Sequence, residues 1–412
     1  MKTTYLNIIY VIALFVAGML MTMQAYSVRC IRHDDGISYL AATGHQGLYA
    51  TSRPGSRWVQ ASQWQAFWTP DEFWCFSRIS RDLAAFDIHP PLYFWLLHIW
   101  TSIHGVTLAA GPLLNIPFHL ISCIAITVSC RMLGCSQLVA GGAGLLWLFA
   151  GTNLAVASEA RQYSLLGAIS ALFILFLLRL LRRPTLPSAL CLCLTSAAGM
   201  LTHYHFILLL AACGTLAAPQ ALIVGQWRTF LLVGISIAVA ALLFIALHPN
   251  FYLSFPQQAL QAAPFTWTEI PHRLGRVFLA LMEQFIPHRL VHPFINFLSY
   301  YRLPVLTVAL ACSAASIYLI RRLRRRLSLR QIARFDSVPF VGGTACFVII
   351  ALLYVSCRNP RHAMGSKYLM LVTPLFFTAL GQVITWMSRS REKWSFVAIV
   401  ALLVSQTTYG FL

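Results

Sequence analysis

Charged residues are scarce in this chain, and acidic residues are the scarcest. Only 10% of the 412 residues carry a charge and 11 are Asp or Glu, while 58% are hydrophobic. A soluble domain contains about 25% charged residues. The composition therefore excludes a soluble globular protein and predicts an all-α polytopic membrane protein.

Short motifs of nucleotide and zinc sites are absent as well. The sequence contains no GxxxxGK[ST] and no GxGxxG after a predicted strand, so it predicts no phosphate-binding loop for a nucleotide. Its 11 cysteines show no CxxC or Cys/His spacing, and most lie in apolar runs, where they behave as small hydrophobic residues. Cys30 and Cys75 lie in the first polar stretch and could form a disulfide if that stretch faces an oxidising compartment.

The apolar residues are gathered into long runs. A helix needs about 20 apolar residues to cross a bilayer. The first run has no charge and is longer than the roughly 7–15 residues of a signal-peptide core, which indicates a retained anchor. We expect a single transmembrane domain over residues 1–412, with eleven spans at 5–27, 109–130, 137–157, 163–181, 187–202, 204–223, 229–247, 303–320, 338–356, 367–387 and 394–411.

Segment 91–104 is apolar but only about 14 residues long, which predicts a helix lying in the membrane interface rather than a span. With a cytoplasmic N-terminus, this choice leaves the arginine run 321–334 on the inside, as the positive-inside rule requires. Counting 91–104 as a span would place that run outside. The net charge of +19 is therefore explained by membrane insertion, and no nucleic-acid partner is predicted.

Two large loops are predicted on the outer side. The first covers 28–108, holds six of the 11 acidic residues and contains aromatic stretches that suit the headgroup layer as juxtamembrane helices. The second covers 248–302. Within it, 268–285 is predicted to form an amphipathic helix with an apolar face at Ile270, Leu274, Val277, Phe278, Leu281 and Phe285, and with His272, Arg273, Arg276 and Glu283 elsewhere.

Asp34 and Asp35 stand side by side directly after the first span. A carboxylate beside hydrocarbon costs several kcal/mol unless it is solvated or paired, so two solvated loop acids are one interpretation. The other is that an adjacent acidic pair at a membrane exit marks a reaction site.

The remaining outer loops add charged residues of both signs. Carboxylates come mainly from the beginning of the chain and cations from its end. A carboxylate can take a proton from an acceptor hydroxyl, while Arg and Lys can hold a departing phosphate, which suits a reaction on a phosphate-bearing lipid. His203 and His205, between two spans, are interpreted as polar anchors. The other outward residues are His89, Glu159, Arg161, Tyr163, Arg358, Arg361, His362 and Lys367.

Three stretches resemble the GT-C membrane glycosyltransferases: RHDDGISYLAATGHQG at 32–47, IHPPLYFWLLHIW at 88–100 and ASEARQYSLL at 157–166. Their order is similar to that in the family 39-like branch, which includes protein O-mannosyltransferases, lipid A aminoarabinose transferases and RgtA-type bacterial enzymes. The resemblance covers most of the chain in layout. It implies a GT-C-type bundle in the bacterial inner membrane, with its site facing the periplasm.

The resemblance also implies an activity. The expected reaction is an inverting transfer of a sugar from a polyprenyl-phosphate donor to a hydroxyl of a lipid, glycan or protein, as in modification of lipopolysaccharide. By motif match Asp34 is the base. Asp35 replaces the usual Glu as second carboxylate or metal ligand, and Glu159 orients the acceptor or assists a metal.

The same match assigns His89 and Arg161 to the donor phosphate, and the last outer loop adds Arg361 and Lys367. Asp34, Asp35 and Glu159 are the side chains that would hold a divalent cation such as Mg or Mn. Two carboxylates acting with Arg and Lys would also work without a metal, so metal dependence stays open.

Two other functions fit parts of the pattern. A lipid-linked sugar flippase would place ionisable residues at the membrane midplane, often on broken helices. Here the acidic residues lie at the outer ends of the predicted spans, which favours the enzyme. A non-catalytic scaffold of an envelope assembly is the third hypothesis.

Overall fold

The computed structural model describes residues 2–55, 58–223, 225–254, 269–284, 343–344, 347–352, 366–387, 397, 399–400 and 403. Within these ranges the chain is helical and forms no β-strand. The helices are α1 Lys2–Ser27, α2 His33–Ala42, α3 Gln46–Ser52, α4 Ala61–Trp68, α5 Phe76–Phe86, α6 Leu92–His104, α7 Ala110–Met132, α8 Gln137–Leu148, α9 Gly151–Ala157, α10 Tyr163–Arg182, α11 Leu186–Thr202, α12 Phe206–Ile223, α13 Trp227–Leu247, α14 Glu269–Met282 and α15 Thr373–Met387. Two short 3₁₀ turns cover Phe251–Leu253 and Ser366–Leu371.

Four described helices are long and apolar enough to cross a membrane: Thr4–Ser27, α7, α10 and α13. The bent pair α8 and α9 makes a fifth candidate, and α11 and part of α12 are shorter apolar helices. These elements confirm an all-α membrane protein. The predicted span 303–320 and most of 338–356 and 394–411 lie outside the described residues, so the number eleven stays a prediction.

The predicted span 137–157 consists of two helices joined by a bend, which hydropathy did not predict. The axes of α8 and α9 differ by 55°. Ala150 adopts an extended conformation between them, and Asn153 donates from Nδ2 to the carbonyl oxygen of Trp147 at 2.7 Å. That carbonyl is one that the break removes from the helical ladder, so a local side chain satisfies it. The bend directs α9 toward the turn at 158–162.

The centre of the bundle is α10, which packs against α7 and α11, while α7 also packs against α8. In the most apolar window of each span, 78% of α10 is buried, compared with 11% of α1 and 17% of α13. The exposed residues of α1 and α13 are large and apolar, including Ile12, Phe15 and Leu242. Such surfaces are stable in lipid rather than in water, because hydrocarbon contact replaces burial.

The predicted first outer loop, 28–108, contains the short helices α2 to α6. Gly44 ends α2 at φ +74°, and the amides of Gly44 and His45 bond back to Ala41 and Leu40, as in a Schellman turn. His98, fully buried on α6, lies 2.7 Å from both the Ala42 and the Phe73 carbonyl oxygens. These contacts join α2, the 69–75 segment and α6 into one layer. Segment 91–104 is therefore helical as predicted.

The sequence left open a disulfide between Cys30 and Cys75, and the structure does not form one. Both cysteines are free: Cys30 is exposed, and Cys75 is buried with its sulfur 3.7 Å from His98 Nε2. The difference in environment is the reason, since Cys75 is enclosed beneath α6 while Cys30 follows α1 at the surface.

Helix α14 lies within the predicted amphipathic segment 268–285, but Arg273 lies on its buried face rather than on its polar face. Arg273 was expected on the polar face, and it is buried together with Val277 and Ala280. These three positions share a face at spacings of four and three residues. Helix α14 packs against the 3₁₀ turn at Ser366–Leu371, so this face is covered by protein.

Gly111 brings the N-terminal end of α7 against the turn before α10. A Cβ at position 111 would lie 2.3 Å from the Cβ of Ala160, and the Gly111 amide donates to the Tyr39 hydroxyl at 2.9 Å. Only glycine permits this approach. The contact holds α2, α7 and the 158–162 turn together at one end of the bundle.

Candidate active site

Asp34 and Lys367 form an ion pair between the two ends of the chain. Lys367 Nζ donates to Asp34 Oδ2 at 3.0 Å, across 333 residues of sequence. Asp34 lies in the first turn of α2, and Lys367 lies in the 3₁₀ turn before α15. Their side chains are 43% and 31% exposed, so solvent or a ligand can reach both.

Asp35 points in another direction and is buried. Its Oδ1 accepts a hydrogen bond from the Ala160 amide at 2.8 Å. Successive helical residues lie about 100° apart, so neighbouring aspartates on α2 reach different surroundings. The observed contact of Asp35 therefore ties α2 to the 158–162 turn, while Asp34 alone faces the open side.

The turn at 158–162 is fixed by Asn115 of α7, whose Nδ2 donates to the carbonyl oxygens of Ala157 and Glu159 at 3.2 and 2.6 Å. Glu159 projects its side chain to Arg32, with Oε1 3.1 Å from Nη1. The Glu159 side chain is 22% exposed, and its Oε2 has no protein partner. This second carboxylate oxygen is thus buried and without a hydrogen-bond partner, near enough to Lys367 to interact with its charge.

Arg161 lies beneath this pair and is only 5% exposed. Its Nη1 donates to the Asp34 carbonyl oxygen at 3.4 Å and to Ser38 Oγ at 3.2 Å. Its Nη2 lies 3.4 Å from His89 Nε2. Arg161 therefore contacts the backbone and a side chain of the first turns of α2, as well as the loop before α6.

His89 and Asp87 form a largely buried pair in that loop. Asp87 Oδ1 lies 2.6 Å from His89 Nδ1 and also accepts the Ile88 amide at 2.6 Å. The two side chains are 13% and 11% exposed. Both nitrogens of His89 thus have protein partners, Asp87 on one side and Arg161 on the other.

An aromatic group completes the site. Lys367 Nζ lies 5.5 Å from the centre of the Tyr163 ring, and Tyr163 lies beside Tyr368 and His203 at 5.6 and 5.9 Å between ring centroids. The His203 ring is also 6.1 Å from that of His89. A cation near a tyrosine face is stabilised by the ring quadrupole, so this group helps to hold Lys367 over the site.

Sequence reasoning did not assign roles here to Asp87, Tyr368 or His203. Asp87 is one of the six early acidic residues, two positions before His89, and that spacing was the available signal. His203 had been interpreted as a polar anchor, but it is buried among His89, Tyr163 and Tyr368. Nothing in the local sequence of 202–205 indicates those neighbours.

The carboxyl groups of the site differ in pKa. Burial raises the pKa of Asp34, but the hydrogen bond from Lys367 and the charge of Arg161 outweigh burial and hold that pKa below its ordinary value. Burial raises the pKa of Asp35 and of Glu159 above the ordinary range, against the effects of the Ala160 amide and of Lys367. At neutral pH, Asp34 is the most readily ionised of these three groups.

Comparisons with known proteins give similar folds. ArnT from Cupriavidus metallidurans bound to undecaprenyl phosphate is 13% identical with a TM-score of 0.52, covering 98% of this chain and 74% of ArnT. The apo state of ArnT is 13% identical to this chain with a TM-score of 0.51, and the match covers 100% of this chain and 75% of ArnT. The Archaeoglobus fulgidus oligosaccharyltransferase in complex with Zn and sulfate is 14% identical with a TM-score of 0.54, and the match covers 97% of this chain and 52% of the oligosaccharyltransferase.

The chain has the GT-C fold. The chain spans about three quarters of ArnT and about half of the oligosaccharyltransferase. No family model matches the sequence, and no curated protein matches it at the sequence level. The likeness confirms the predicted GT-C bundle, while the family 39-like branch stays a prediction.

The candidate site brings together most of the residues that the sequence singled out. Asp34, Glu159 and Lys367 gather at its open side, whereas Asp35, Arg161 and His89 are enclosed by protein contacts. Arg361 lies outside the described residues, as do Arg358 and His362. A cavity of about 330 Å³ opens at the opposite ends of α1, α7 and α8, and none of the site residues borders it.

The arrangement does not fit a resident divalent cation. The described residues contain no group of three or more His, Cys, Asp or Glu side chains that could hold a metal ion. Asp34 pairs with Lys367, Glu159 with Arg32, and Asp35 with a backbone amide. Two cationic side chains and a backbone amide therefore bind the carboxylates that the sequence left open as ligands of a Mg or Mn ion.

Proposed function

We propose that this protein is a membrane glycosyltransferase that uses a polyprenyl-phosphate-linked sugar as donor. The observation that carries the proposal is the contact of 3.0 Å between Asp34 and Lys367. It joins a group that can accept a proton to a group that can bind a phosphate, on the open side of a GT-C fold. General base and electrostatic catalysis need such groups close together.

The proposed reaction is a single displacement with inversion at the sugar carbon. Asp34 takes the proton of the acceptor hydroxyl, whose oxygen forms a bond to C1 of the sugar. The bond between C1 and the phosphate oxygen breaks, and its electron pair stays on the polyprenyl phosphate. Lys367 stabilises the negative charge of that leaving phosphate, with Arg361 of the last outer loop as its proposed partner.

Lys367 would serve both groups in turn. In the resting site it pairs with Asp34 and lowers the pKa of that carboxyl group. A bound donor phosphate competes for the same ammonium group, and its approach frees Asp34 to act on the acceptor. Glu159, with one oxygen on Arg32 and one unpartnered, is proposed to hold the acceptor hydroxyl in line.

Support for a lipid donor comes from the comparison with ArnT, which was solved with undecaprenyl phosphate bound. We extend that ligand class to this chain because the charge pattern of its site suits a phosphate. The proposed location is the bacterial inner membrane, with Asp34 facing the periplasm. The acceptor class is a hydroxyl of a lipid, glycan or protein.

The test is to replace Asp34 with Asn in purified protein reconstituted into proteoliposomes. A panel of undecaprenyl-phosphate hexoses and pentoses serves as donor, and envelope extract from cells lacking the protein supplies acceptors. We expect wild-type transfer, and a loss of about 10²-fold or more in the variant, the usual scale for a general base. Glu72→Gln is the matched control, since Glu72 is an exposed carboxylate of the same outer loop.

Near-native transfer by the Asp34→Asn variant would contradict the base assignment. Movement of labelled undecaprenyl-phosphate sugar across the bilayer without transfer would favour the flippase instead. A scaffold would produce neither signal.

A further inference from the structure

The loop before α6 and the turn before α10 are joined by polar contacts that the proposed transfer does not use. Asp87 Oδ1 contacts His89 Nδ1 at 2.6 Å, and His89 Nε2 contacts Arg161 Nη2 at 3.4 Å. Arg161 Nη1 reaches the Asp34 carbonyl oxygen and Ser38 Oγ. Four contacts thus run from Asp87 to the helical turn that carries the proposed base.

The state of His89 is the central link. A neutral imidazole has one N–H and one lone pair. A carboxylate at Nδ1 selects the form with its proton on Nδ1, which leaves the Nε2 lone pair facing an Arg161 N–H. The opposite tautomer would place two donors against each other at Nε2, so Asp87 decides whether His89 can support Arg161.

The contacts among Asp87, His89 and Arg161 are shielded from water. The side chains of Asp87 and His89 are 11% and 13% exposed, and Arg161 is 5% exposed. Water therefore replaces a lost partner poorly, and a misplaced guanidinium would release the first turn of α2. The carboxylates of Asp87 and Asp34 also lie near enough to Arg161 to stabilise its positive charge.

We propose that Asp87 is a positioning residue of the transfer, acting through His89 and Arg161 on the backbone of Asp34. This inference rests on the proposed function, and it replaces phosphate binding as the role of His89 and Arg161. Asp87 touches neither substrate. It holds the Asp34 carboxylate in the position and orientation needed to take the proton of the acceptor hydroxyl.

The first measurement compares Asp87→Asn with Asp82→Asn in the proteoliposome assay. Asp82 is a matched control because it also accepts a backbone hydrogen bond, from Gly47 at 2.9 Å, but is not one of the residues that link Asp87 to Asp34. For Asp87→Asn we expect kcat to fall about 10- to 100-fold, the scale on which loss of the partner that orients a metal-bound histidine acts in metalloenzymes, with the donor KM unchanged. Asp82→Asn should keep both constants.

The second measurement does not depend on transfer. Nitrogen-15 NMR of histidine-labelled protein reports which ring nitrogen carries the proton, and the His89 signal is assigned by its loss in His89→Gln. We expect the proton on Nδ1 in the wild type and its redistribution toward Nε2 in Asp87→Asn. If the wild type transfers no sugar from any donor of the panel, the proposed function fails. The spectrum still shows whether Asp87 sets the tautomer of His89.

Either of two results would overturn the positioning role. One is an Asp87→Asn variant with unchanged kcat, or with a donor KM that rises as much as kcat falls. The other is a wild-type His89 that carries its proton on Nε2 alone.

Discussion

At the scale of single residues, Lys367 is the group on which the site's charge depends. It donates to Asp34, lies over Tyr163, and contributes to the electrostatics of Glu159. A base must be ionised to accept a proton, so activity should be lost as the pH falls through the pKa of Asp34. Because Lys367 lowers that pKa, its removal should raise it.

We therefore expect Lys367→Met to move the acid limb of the kcat/KM profile for the donor to higher pH, besides weakening donor binding. That profile reports the free site, in which Lys367 pairs with Asp34, so transfer is measured at low donor concentration between acidic and neutral pH. Arg81→Met, which removes an exposed cation of the same outer loop, should leave the limb in place. An acid limb that stays fixed or moves lower in Lys367→Met would count against Asp34 as the ionising group.

Residue types alone predicted part of this site. The expectation that early carboxylates meet late cations agrees with the contact of Asp34 and Lys367. The enclosure of Arg161 and His89 was not predictable, because it depends on the 87–91 loop lying against the 158–162 turn. Sequence spacing does not report such long-range packing.

At the scale of elements, the 158–162 turn is positioned by its neighbours rather than by its own residues. Gly111 and Asn115 of α7 contact it from one side, and Asp35 of α2 contacts it from the other. Hydropathy predicted α7, α10 and α11 closely. It missed the break between α8 and α9, because hydropathy does not report where an apolar run bends; the hydrogen bond from Asn153 to the Trp147 carbonyl accommodates the bend.

Gly111→Ala should destabilise the protein by about 1–3 kcal/mol, the usual cost of overpacking. The added methyl would meet the Cβ of Ala160 at 2.3 Å and its Cα at 2.7 Å, which forces the turn outward. Thermal unfolding in detergent measures the effect, and Ala160→Gly in the same chain should restore part of it. Gly151→Ala is the control, since a Cβ there meets nothing within 4 Å; equal destabilisation of both variants would refute the close-approach argument.

At the scale of the whole molecule, apolar runs and the positive-inside rule predicted the all-helical architecture and an outward site. The architecture is confirmed by the GT-C fold, and the orientation stays a prediction. The reason for the difference is physical. The packing of helices follows from which side chains they bury, which coordinates show directly. Orientation depends on where the basic residues lie relative to a bilayer, which the structure does not contain.

Exposed Cys30 lets that orientation be measured. In intact cells with a permeable outer envelope, a membrane-impermeant maleimide should label the wild type more strongly than Cys30→Ser, because Cys30 follows α1 on the predicted outer side. Inverted vesicles should show no such difference. Labelling of Cys30 from inverted vesicles only would reverse the predicted topology.

The separation of Asp34 and Lys367 by 333 residues affects biosynthesis. A ribosome that has delivered Asp34 to the membrane must still translate 333 residues before Lys367 is made. Until then the nascent protein holds Asp34 without the ammonium group that pairs with it. Termination before Lys367 would leave inserted helices without this ion pair, so the proposed transfer depends on translation reaching position 367.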